Sequence, residues 1–361
     1  MALKTPLYQL HLDAGAKMVD FAGWDMPLHY GSQIDEHHQV RKQAGMFDVS
    51  HMTVIDFSGA GCADFLAKLL ANDIAKLKQP GKALYSCMLN ENAGVIDDLI
   101  VYYLRDGEYR MVVNAATREK DLAWITQQAQ SFELQVKERA DLAMIAVQGP
   151  QAREKVAQVL DADYQPIMAL KPFFAFFELP IFVARTGYTG EDGFELILPG
   201  DQACQLWHKL AALEVKPIGL GARDSLRLEA GMNLYGQDMD ESTTPWESAL
   251  GWTIALDNPE RDFIGRGALE HAKSTNKQQL VGLVLSDRGV LRHGHRIFCS
   301  NGEGYVCSGG FSPTLQQSIA FARIPLGAES NCEVEIRNKK LRAQVVKPPF
   351  VRNGQACYKN L

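Results

Sequence analysis

The amino-acid sequence predicts an α+β protein that ends in a separate β domain. The chain has 361 residues, more than one hydrophobic core usually serves, so several domains are expected. Strand and helix patterns alternate over residues 52–137, and a second set of the same kind starts at residue 142. From about residue 278 onward the patterns are those of strands, which indicates a β domain of its own.

The first clear element is a helix that begins after Ser32. Asp35 follows Ser32 at capping-box spacing, and Arg41 and Lys42 precede Gly45, as is typical of a helix end. The apolar residues after Gly45 predict a strand directly behind this helix.

The two α+β sets are predicted from the order of their patterns. In the first set the order is strand, helix, strand, strand, helix, which is typical of a small split α+β lobe. The second set has a strand-turn-helix unit, a hairpin and a helix. The segments concerned are TVIDFSG, CADFLAKLLAND, GVIDDLIVYYL and YRMVVNAATREKDLAWITQQAQ in the first set, and LAMIAVQGPQAREKVAQVL, RTGYTGEDGFELIL and DQACQLWHKLAALE in the second.

Composition and charge exclude several classes of protein. Hydrophobic residues make up 46% and charged residues 22% of the chain, the balance of a soluble globular protein. The net charge of -6 argues against a general nucleic-acid-binding surface, which needs a surplus of Lys and Arg. The sequence has no apolar run of about eighteen residues and no leader pattern behind Met1, so we expect an untrimmed cytoplasmic protein without a membrane span.

The cysteines and one Ser-His pair are candidate reactive sites. The seven cysteines are widely spaced, with no CxxC pair, which predicts free thiols in a reducing compartment and no metal site. Ser50 and His51 are neighbours, and neighbouring residues of a strand face opposite ways, so we do not expect a hydrolase nucleophile with its base.

Two adjacent carboxylates stand at the front of the apolar run GVIDDLIVYYL. One interpretation is that Asp97 and Asp98 belong to the preceding turn. The other is that they open the strand. Side chains of a strand alternate, so Asp98 would then share a face with Tyr102, and Asp97 would lie on the other face. A partly buried carboxylate in that position can pair with a cation or accept a proton.

Two further segments contain candidate site residues. RTGYTGEDGFELIL has three closely spaced glycines between strand patterns, which predicts a tight hairpin, and Glu195 lies inside its second strand. A carboxylate there needs a donor partner. In GLGARDSLRLEAGMNLYGQDMD, Arg223 stands at a predicted helix start, where it either binds a polar ligand or forms a structural salt bridge. A phosphate loop is excluded because neither GxGxxG nor a Lys-Ser/Thr pair is present.

Seven collinear motifs between residues 5 and 354 resemble the glycine cleavage system T-protein family. They are MVDFAGWDMPLHYGS, GMFDVSHM, GVIDDLIVY, RTGYTGEDGFELILP, GLGARDSLRLEAGMNLYGQDMDE, GFSPTLQQSIAFARIP and KPPFVRNG. Members of this family are aminomethyltransferases. They split an aminomethyl group carried on the lipoyl arm of H-protein, release ammonia and form 5,10-methylenetetrahydrofolate.

The resemblance also implies a fold and its domains. Family members have three lobes in a cloverleaf around a central folate-binding channel, two of them ferredoxin-like split α+β lobes and the third a jelly-roll-like β-barrel. On this chain the first lobe would comprise residues 1–51 and 138–275, with residues 52–137 inserted as the second lobe. Residues 276–361 would form the barrel.

Site residues transfer from the family position by position. The resemblance implies that Asp98 is catalytic and lies beside the folate nitrogens that accept the carbon. It implies that Glu195 meets the amino-pyrimidine edge of tetrahydrofolate and that Arg223 meets its polar atoms. The remaining residues implied to line the ring pocket are Tyr85, Tyr102, Asn114, Tyr188 and Met52.

The implied co-substrates are tetrahydrofolate and the lipoyl group, with no metal. The implied partners are H-protein and, transiently, P-protein and L-protein, with neither nucleic acid nor membrane. Two alternatives remain: a related tetrahydrofolate-dependent demethylase, and a folate-binding scaffold without chemistry. The chain has no Rossmann fingerprint for a flavin partner. Asp98 argues against the scaffold, because binding alone would not require a carboxylate at the accepting nitrogens.

Overall fold

The computed structural model describes residues 2–160, 165–178 and 180–360. Over these residues the chain forms two compact units. The first unit comprises Met1–Ser86, Asp98–Gly187 and Glu191–Arg223, and the second comprises Cys87–Asp97, Tyr188–Gly190 and Asp224–Leu361. The chain therefore passes between the units several times. The boundaries of three domains and the cloverleaf around a channel stay predictions.

The first sheet lies in the first unit and consists, among the described residues, of six strands. Its central strand Leu142–Gln148 pairs antiparallel with Gly193–Pro199 on one side and with Gly45–Asp48 on the other. The order across the sheet is Ala175–Phe176, Phe182–Ala184, Gly193–Pro199, Leu142–Gln148, Gly45–Asp48 and Lys216–Pro217.

Two amphipathic helices contribute apolar residues to the core that covers this sheet. Helix Ala152–Val159 buries Ala152, Val156 and Val159, and helix Gly200–Ala212 buries Ala203, Leu206 and Leu210. These positions recur at three- and four-residue intervals, which puts them on one helix face. The predicted strand-helix pattern of this region is confirmed. The hairpin is confirmed as well, but its strands are joined by the loop 185–192, so the prediction of a tight turn was wrong.

The N-terminal segment is attached to the first sheet by buried polar contacts. Asp48 accepts hydrogen bonds from Thr5 Oγ1 at 2.5 Å, His11 Nε2 at 2.9 Å and the Ser50 N–H at 2.9 Å. The predicted cap of the next helix is confirmed, because Ser32 Oγ accepts from the Asp35 N–H at 3.2 Å. The elements of this region are Tyr8–Asp13, Lys17–Phe21, Trp24–His29 and the helix Gln33–Lys42.

The second sheet carries the paired aspartates. In the part of the chain that the structure describes, its order is Ala83–Leu89, Val95–Arg105, Glu108–Val113, Thr53–Ser58 and Gln135–Glu138. The helices Cys62–Leu69 and Arg118–Ala129 follow its strands in the chain as predicted. Strand Ala83–Leu89 was missing from the sequence prediction, and it supplies one of the residues that contact Asp98.

The C-terminal region of the second unit forms the predicted barrel. Strand Gln278–Leu285 pairs antiparallel with both Gln317–Pro325 and Lys339–Lys347, so six strands of the described residues 278–347 close on themselves. Full closure leaves no free edge between these strands. The order around the barrel is Gln278–Leu285, Gln317–Pro325, Gly302–Ser312, Arg296–Cys299, Asn331–Ile336 and Lys339–Lys347.

The other elements are short, apart from two helices. They are the helices Gln165–Met168, Leu220–Glu229 and Arg266–Thr275, the 3-10 turns Ile74–Lys76 and Gly251–Thr253, and the strands Val351–Arg352, Gln355–Ala356 and Lys359–Asn360. The helix predicted in the stretch 219–240 ends at Glu229. Among the described residues, no helix is long and apolar enough to span a membrane.

Candidate functional site

Asp97 and Asp98 lie within strand Val95–Arg105, so the interpretation that both belong to the preceding turn was wrong. The predicted alternation of faces is present at these two residues. Asp97 is fully buried, whereas Asp98 keeps part of its surface accessible. The second aspartate of the pair is therefore the one that a ligand can reach.

The Asp98 carboxylate is held by donors from both neighbouring strands. Tyr85 Oη, from strand Ala83–Leu89, donates to Asp98 Oδ2 at 2.7 Å. Asn114 follows strand Glu108–Val113, and its Nδ2 donates to Asp98 Oδ1 at 2.9 Å and to the Asp98 carbonyl at 3.2 Å. One neutral donor on each carboxylate oxygen fixes the rotamer and favours the ionised acceptor.

Glu195 lies in strand Gly193–Pro199, opposite Ala146 on one side and Ala184 on the other. Its Oε2 accepts a hydrogen bond from Thr186 Oγ1. Burial raises the pKa of Glu195, while the Thr186 hydroxyl and then the charge of Arg223 act to lower it. Since burial prevails, this carboxylate gains from any further donor that reaches it.

Tyr102 is next to Thr186 and is almost completely buried. Its hydroxyl is 3.2 Å from Thr186 Oγ1, and its ring packs edge to face on Phe182 with the ring centroids 5.0 Å apart. Burial and then the negative charge of Glu195 raise the pKa of Tyr102, so its hydroxyl keeps its proton. Tyr102, Thr186 and Glu195 thus form one connected chain of polar groups.

Arg223 lies in helix Leu220–Glu229 and is partly accessible. Its positive charge acts on Glu195 and on His51. The ring of His51 is buried, and its Nδ1 has no hydrogen-bond partner among the described residues. Burial, followed by the charge of Arg223, lowers the pKa of His51 to about 4, so the ring is neutral at physiological pH.

Two of the predicted site residues, Met52 and Tyr188, belong to other segments of the chain. Met52 follows the turn that starts at Val49, and its side chain is partly accessible. Tyr188 belongs to the second unit, where its hydroxyl donates to the Asn233 carbonyl.

The structure thus forms two groups from the predicted residues of the first unit. One contains Asp98, Tyr85 and Asn114, and the other joins Tyr102 to Glu195 through Thr186. Sequence reasoning missed Thr186 and His51. Thr186 stands beside the predicted Gly-rich turn, and its spacing from Glu195 gives no signal, because the contact depends on the length of the loop 185–192.

Ser50 and His51 lie in a turn, so the expectation that they occupy a strand was wrong. Ser50 Oγ donates to the Met144 carbonyl at 3.2 Å and accepts from the Met144 N–H at 3.1 Å. Its hydroxyl is engaged with the backbone rather than with a base. Within the described residues, no group of three or more His, Cys, Asp or Glu side chains is arranged to hold a metal ion.

The chain matches known proteins along nearly its whole length. Residues 7–258 match the GCVT N-terminal domain family, and residues 278–352 match the glycine cleavage T-protein C-terminal barrel domain family. An aminomethyltransferase of Xylella fastidiosa (strain M23) is 58% identical over 362 residues, covering 98% of each chain. An aminomethyltransferase of Xanthomonas axonopodis pv. citri (strain 306) is 59% identical, covering 99% of this chain and 98% of the relative.

A solved structure has the same fold. The glycine cleavage system aminomethyltransferase T from Bartonella henselae superposes with a TM-score of 0.92 at 37% sequence identity, covering 98% of this chain and 99% of that one.

Proposed function

This chain belongs to the glycine cleavage T-protein family of aminomethyltransferases, and we propose that Asp98, Glu195 and Arg223 carry its reaction with tetrahydrofolate. The enzyme splits the aminomethyl group on the lipoyl arm of H-protein. Ammonia leaves, the one-carbon unit passes to tetrahydrofolate to give 5,10-methylenetetrahydrofolate, and the dihydrolipoyl arm remains. The single observation that supports Asp98 as the reactive group is its fixed, accessible carboxylate between Tyr85 and Asn114.

Asp98 serves the reaction in three ways. An ionised carboxylate positions the N10 nucleophile of the folate, accepts the proton that N10 loses, and stabilises the cationic one-carbon centre as its bond to nitrogen breaks. Each way requires a negative charge at a fixed place. The donors from Tyr85 and Asn114 fix the place of the carboxylate, and Asp98 keeps part of its surface accessible.

Glu195 binds the amino-pyrimidine edge of tetrahydrofolate, which presents two parallel N–H donors. A carboxylate accepts such a pair through its two oxygens. One hydrogen bond from Thr186 occupies only part of its acceptor capacity, since a carboxylate has about four lone-pair sites. Arg223 meets polar atoms of the same ligand.

The remaining predicted residues shape the ring pocket. Tyr85 and Asn114 reach it beside Asp98, and Met52 presents a partly accessible side chain. Tyr102 is buried and contributes through its contact with Thr186. Residues 1–51 with 138–275, residues 52–137 and residues 276–361 are the proposed lobes of this enzyme.

We propose H-protein as the carrier partner, with P-protein and L-protein as transient partners. We also propose a cytoplasmic location, for which the free state of all seven cysteines, each within the described residues, is the support. No resident metal is proposed.

One assay tests the function. The enzyme is mixed with aminomethylated H-protein and tetrahydrofolate, and the released ammonia is measured. We expect stoichiometric ammonia and 5,10-methylenetetrahydrofolate. Absence of ammonia, together with one-carbon transfer to tetrahydrofolate when a methylated amine is supplied in place of H-protein, would indicate the related demethylase, and folate binding without either product would indicate a scaffold.

A further inference from the structure

Three polar side chains in the first unit form a line that ends at Glu195. Tyr102 Oη lies 3.2 Å from Thr186 Oγ1, and Thr186 Oγ1 bonds to Glu195 Oε2. The backbone of Thr186 is held as well, because Gln148 Nε2 donates to its carbonyl at 3.0 Å. Thr186 is therefore attached both through its side chain and through its main chain.

The direction of these hydrogen bonds follows from counting protons. A threonine hydroxyl has one hydrogen, and a carboxylate can only accept, so Thr186 donates to Glu195. Its oxygen must then accept from Tyr102. Tyr102 can donate at any physiological pH because burial keeps its hydroxyl protonated. The line thus points from Tyr102 through Thr186 to Glu195.

The chain around Thr186 is closely packed against strand Leu142–Gln148. A Cβ at Gly193 would lie 2.2 Å from the Val147 carbonyl oxygen, so this position requires glycine. A Cβ at Gly187 would lie 1.9 Å from Oε1 of the Gln148 side chain, which would have to move. The same side chain donates to the Thr186 carbonyl and so helps to hold the chain there.

Charged and titratable groups around Glu195 are few. The neighbouring strands place Ala146 and Ala184 opposite it. Arg223 acts on Glu195 from its helix through its charge, whereas Tyr102, in strand Val95–Arg105, is neutral and has its own pKa raised by the charge of Glu195. Among the described residues, Thr186 supplies the only hydrogen bond to the Glu195 carboxylate.

We propose that Thr186 is a positioning residue for tetrahydrofolate: its hydroxyl, anchored by Tyr102, orients the Glu195 carboxylate and leaves acceptor sites on both oxygens for the two N–H donors of the amino-pyrimidine edge. The inference rests on the role proposed above for Glu195. It extends that role to the residue that fixes Glu195 in place.

The proposal predicts a characteristic dependence on pH. Glu195 binds the ligand as an anion, and burial already raises its pKa. Loss of the Thr186 donor raises the pKa further, because a hydrogen bond to the charged form is removed. As pH falls, the variant should therefore lose folate binding at a higher pH than the wild type does. Saturating turnover should change little, because Asp98 keeps its own donors.

The test compares Thr186→Val with Thr186→Ser in the full chain, measuring tetrahydrofolate affinity by calorimetry and KM and kcat by ammonia release. Thr186→Val should raise both the Kd and the KM for tetrahydrofolate by roughly 10- to 100-fold near neutral pH, the scale of a hydrogen bond to a charged group. The loss should shrink as pH rises. Thr186→Ser keeps the hydroxyl and should restore affinity to within about threefold.

Two further variants separate positioning from general damage. Thr53→Val is the matched control, since the buried Thr53 Oγ1 has no hydrogen-bond partner among the described residues. It should leave KM and kcat unchanged. Tyr102→Phe keeps the ring on Phe182 and removes the donor to Thr186, so it should raise KM by a smaller factor than Thr186→Val.

The possible results are distinct. Wild-type affinity in Thr186→Val, or a pH-independent loss of kcat and affinity together, would overturn the positioning role. If the wild-type enzyme itself bound no tetrahydrofolate, the function proposed above would fail instead. Should Thr186→Val not fold, the Thr186→Ser and Tyr102→Phe measurements decide, and wild-type KM at every pH in Tyr102→Phe would count against the proposal.

Discussion

Glu195 in the first unit and Glu229 in the second unit both accept a hydrogen bond from a threonine hydroxyl, but they differ in how far their own chain satisfies them. Glu229 is fully buried and accepts from Ser312 Oγ at 2.6 Å, from the Thr314 N–H at 3.0 Å and from Thr314 Oγ1 at 2.8 Å. Glu195 is partly accessible and, within the described part of the chain, accepts a hydrogen bond from the Thr186 hydroxyl alone.

The difference separates a structural carboxylate from one that we propose to bind a ligand. A buried charge is tolerated when the surrounding donors satisfy it, and Glu229 meets this condition. The donors around Glu195 do not satisfy its charge to the same extent, so burial raises its pKa. Asp98 is intermediate, because each of its oxygens has a donor while the group stays accessible. The number of donors from the chain itself is therefore a guide to function.

The largest effect is expected at Asp98. Asp98→Asn should keep tetrahydrofolate binding and lower kcat by roughly 10²- to 10⁴-fold, the contribution of one positioned acid-base group. Asp97→Asn is the matched control, because Asp97 is buried on the other face of the strand. It should alter thermal stability more than turnover. An equal fall of kcat in both variants would refute the assignment of faces.

The next effect tests the structural member of the comparison. Glu229→Gln removes a charge that three donors satisfy and should lower the free energy of unfolding by about 3 kcal/mol, near the upper end for an unsatisfied buried group. Denaturant titration measures this change. Calorimetry on the folded variant should give wild-type affinity for tetrahydrofolate. A selective loss of affinity with unchanged stability would place Glu229 among the ligand-binding residues.

The same substitution at Glu195 should give the opposite pattern. Glu195→Gln should weaken tetrahydrofolate binding by about 1.5 to 3 kcal/mol, the scale of a hydrogen bond to a charged partner. Unchanged affinity in calorimetry would remove Glu195 from the pocket.

The pH dependence of apo stability follows from the sign of the Glu195 shift. Because its pKa is raised in the folded state, the folded protein binds this proton more tightly than the unfolded chain. The resulting stabilisation is present at low pH and is lost as pH rises through the raised pKa. Above the raised pKa the ionised group costs stability, so there apo Glu195→Gln should unfold at an equal or higher temperature than the wild type.

The smallest effect concerns the binding of H-protein rather than that of tetrahydrofolate. We predict that Lys and Arg side chains near the docking surface attract an acidic H-protein, although the net charge of the chain is -6. The KM for aminomethylated H-protein should rise roughly tenfold between about 0.01 M and 0.15 M salt, while that for tetrahydrofolate changes little. An equal response of both constants, or none for H-protein, would favour docking through apolar shape.

Sequence patterns were sufficient for the elements that follow local rules. The cap at Ser32, the alternation that separates Asp97 from Asp98, and the strands of the barrel all depend on residues close together in the chain. The α+β class and the C-terminal barrel are confirmed. Residue patterns singled out Asp98, Glu195 and Arg223 as candidates, and the resemblance to the family supplied their expected roles toward tetrahydrofolate.

Sequence patterns did not predict the contacts between distant segments of the chain. Strand Ala83–Leu89 was missed. Its pairing with the strand of Asp98 was therefore unknown, and the hydrogen bond from Tyr85 to Asp98 could not be predicted from it. Thr186 reaches Glu195 only because the loop 185–192 folds back, and a tight turn was predicted there. The buried state of His51 was missed because a strand was assumed where the chain forms a turn.

The interleaved order of the two compact units affects how the nascent chain can fold. Strand Gly45–Asp48 finds its partner only when Leu142–Gln148 has left the ribosome, and Lys216–Pro217 is added still later. Until then, apolar strand surface stays without its final cover, and such intermediates are prone to aggregate. Neither unit is a continuous stretch of chain. A truncated protein that ends near residue 137 would therefore contain only part of the first sheet and would not be an independent domain.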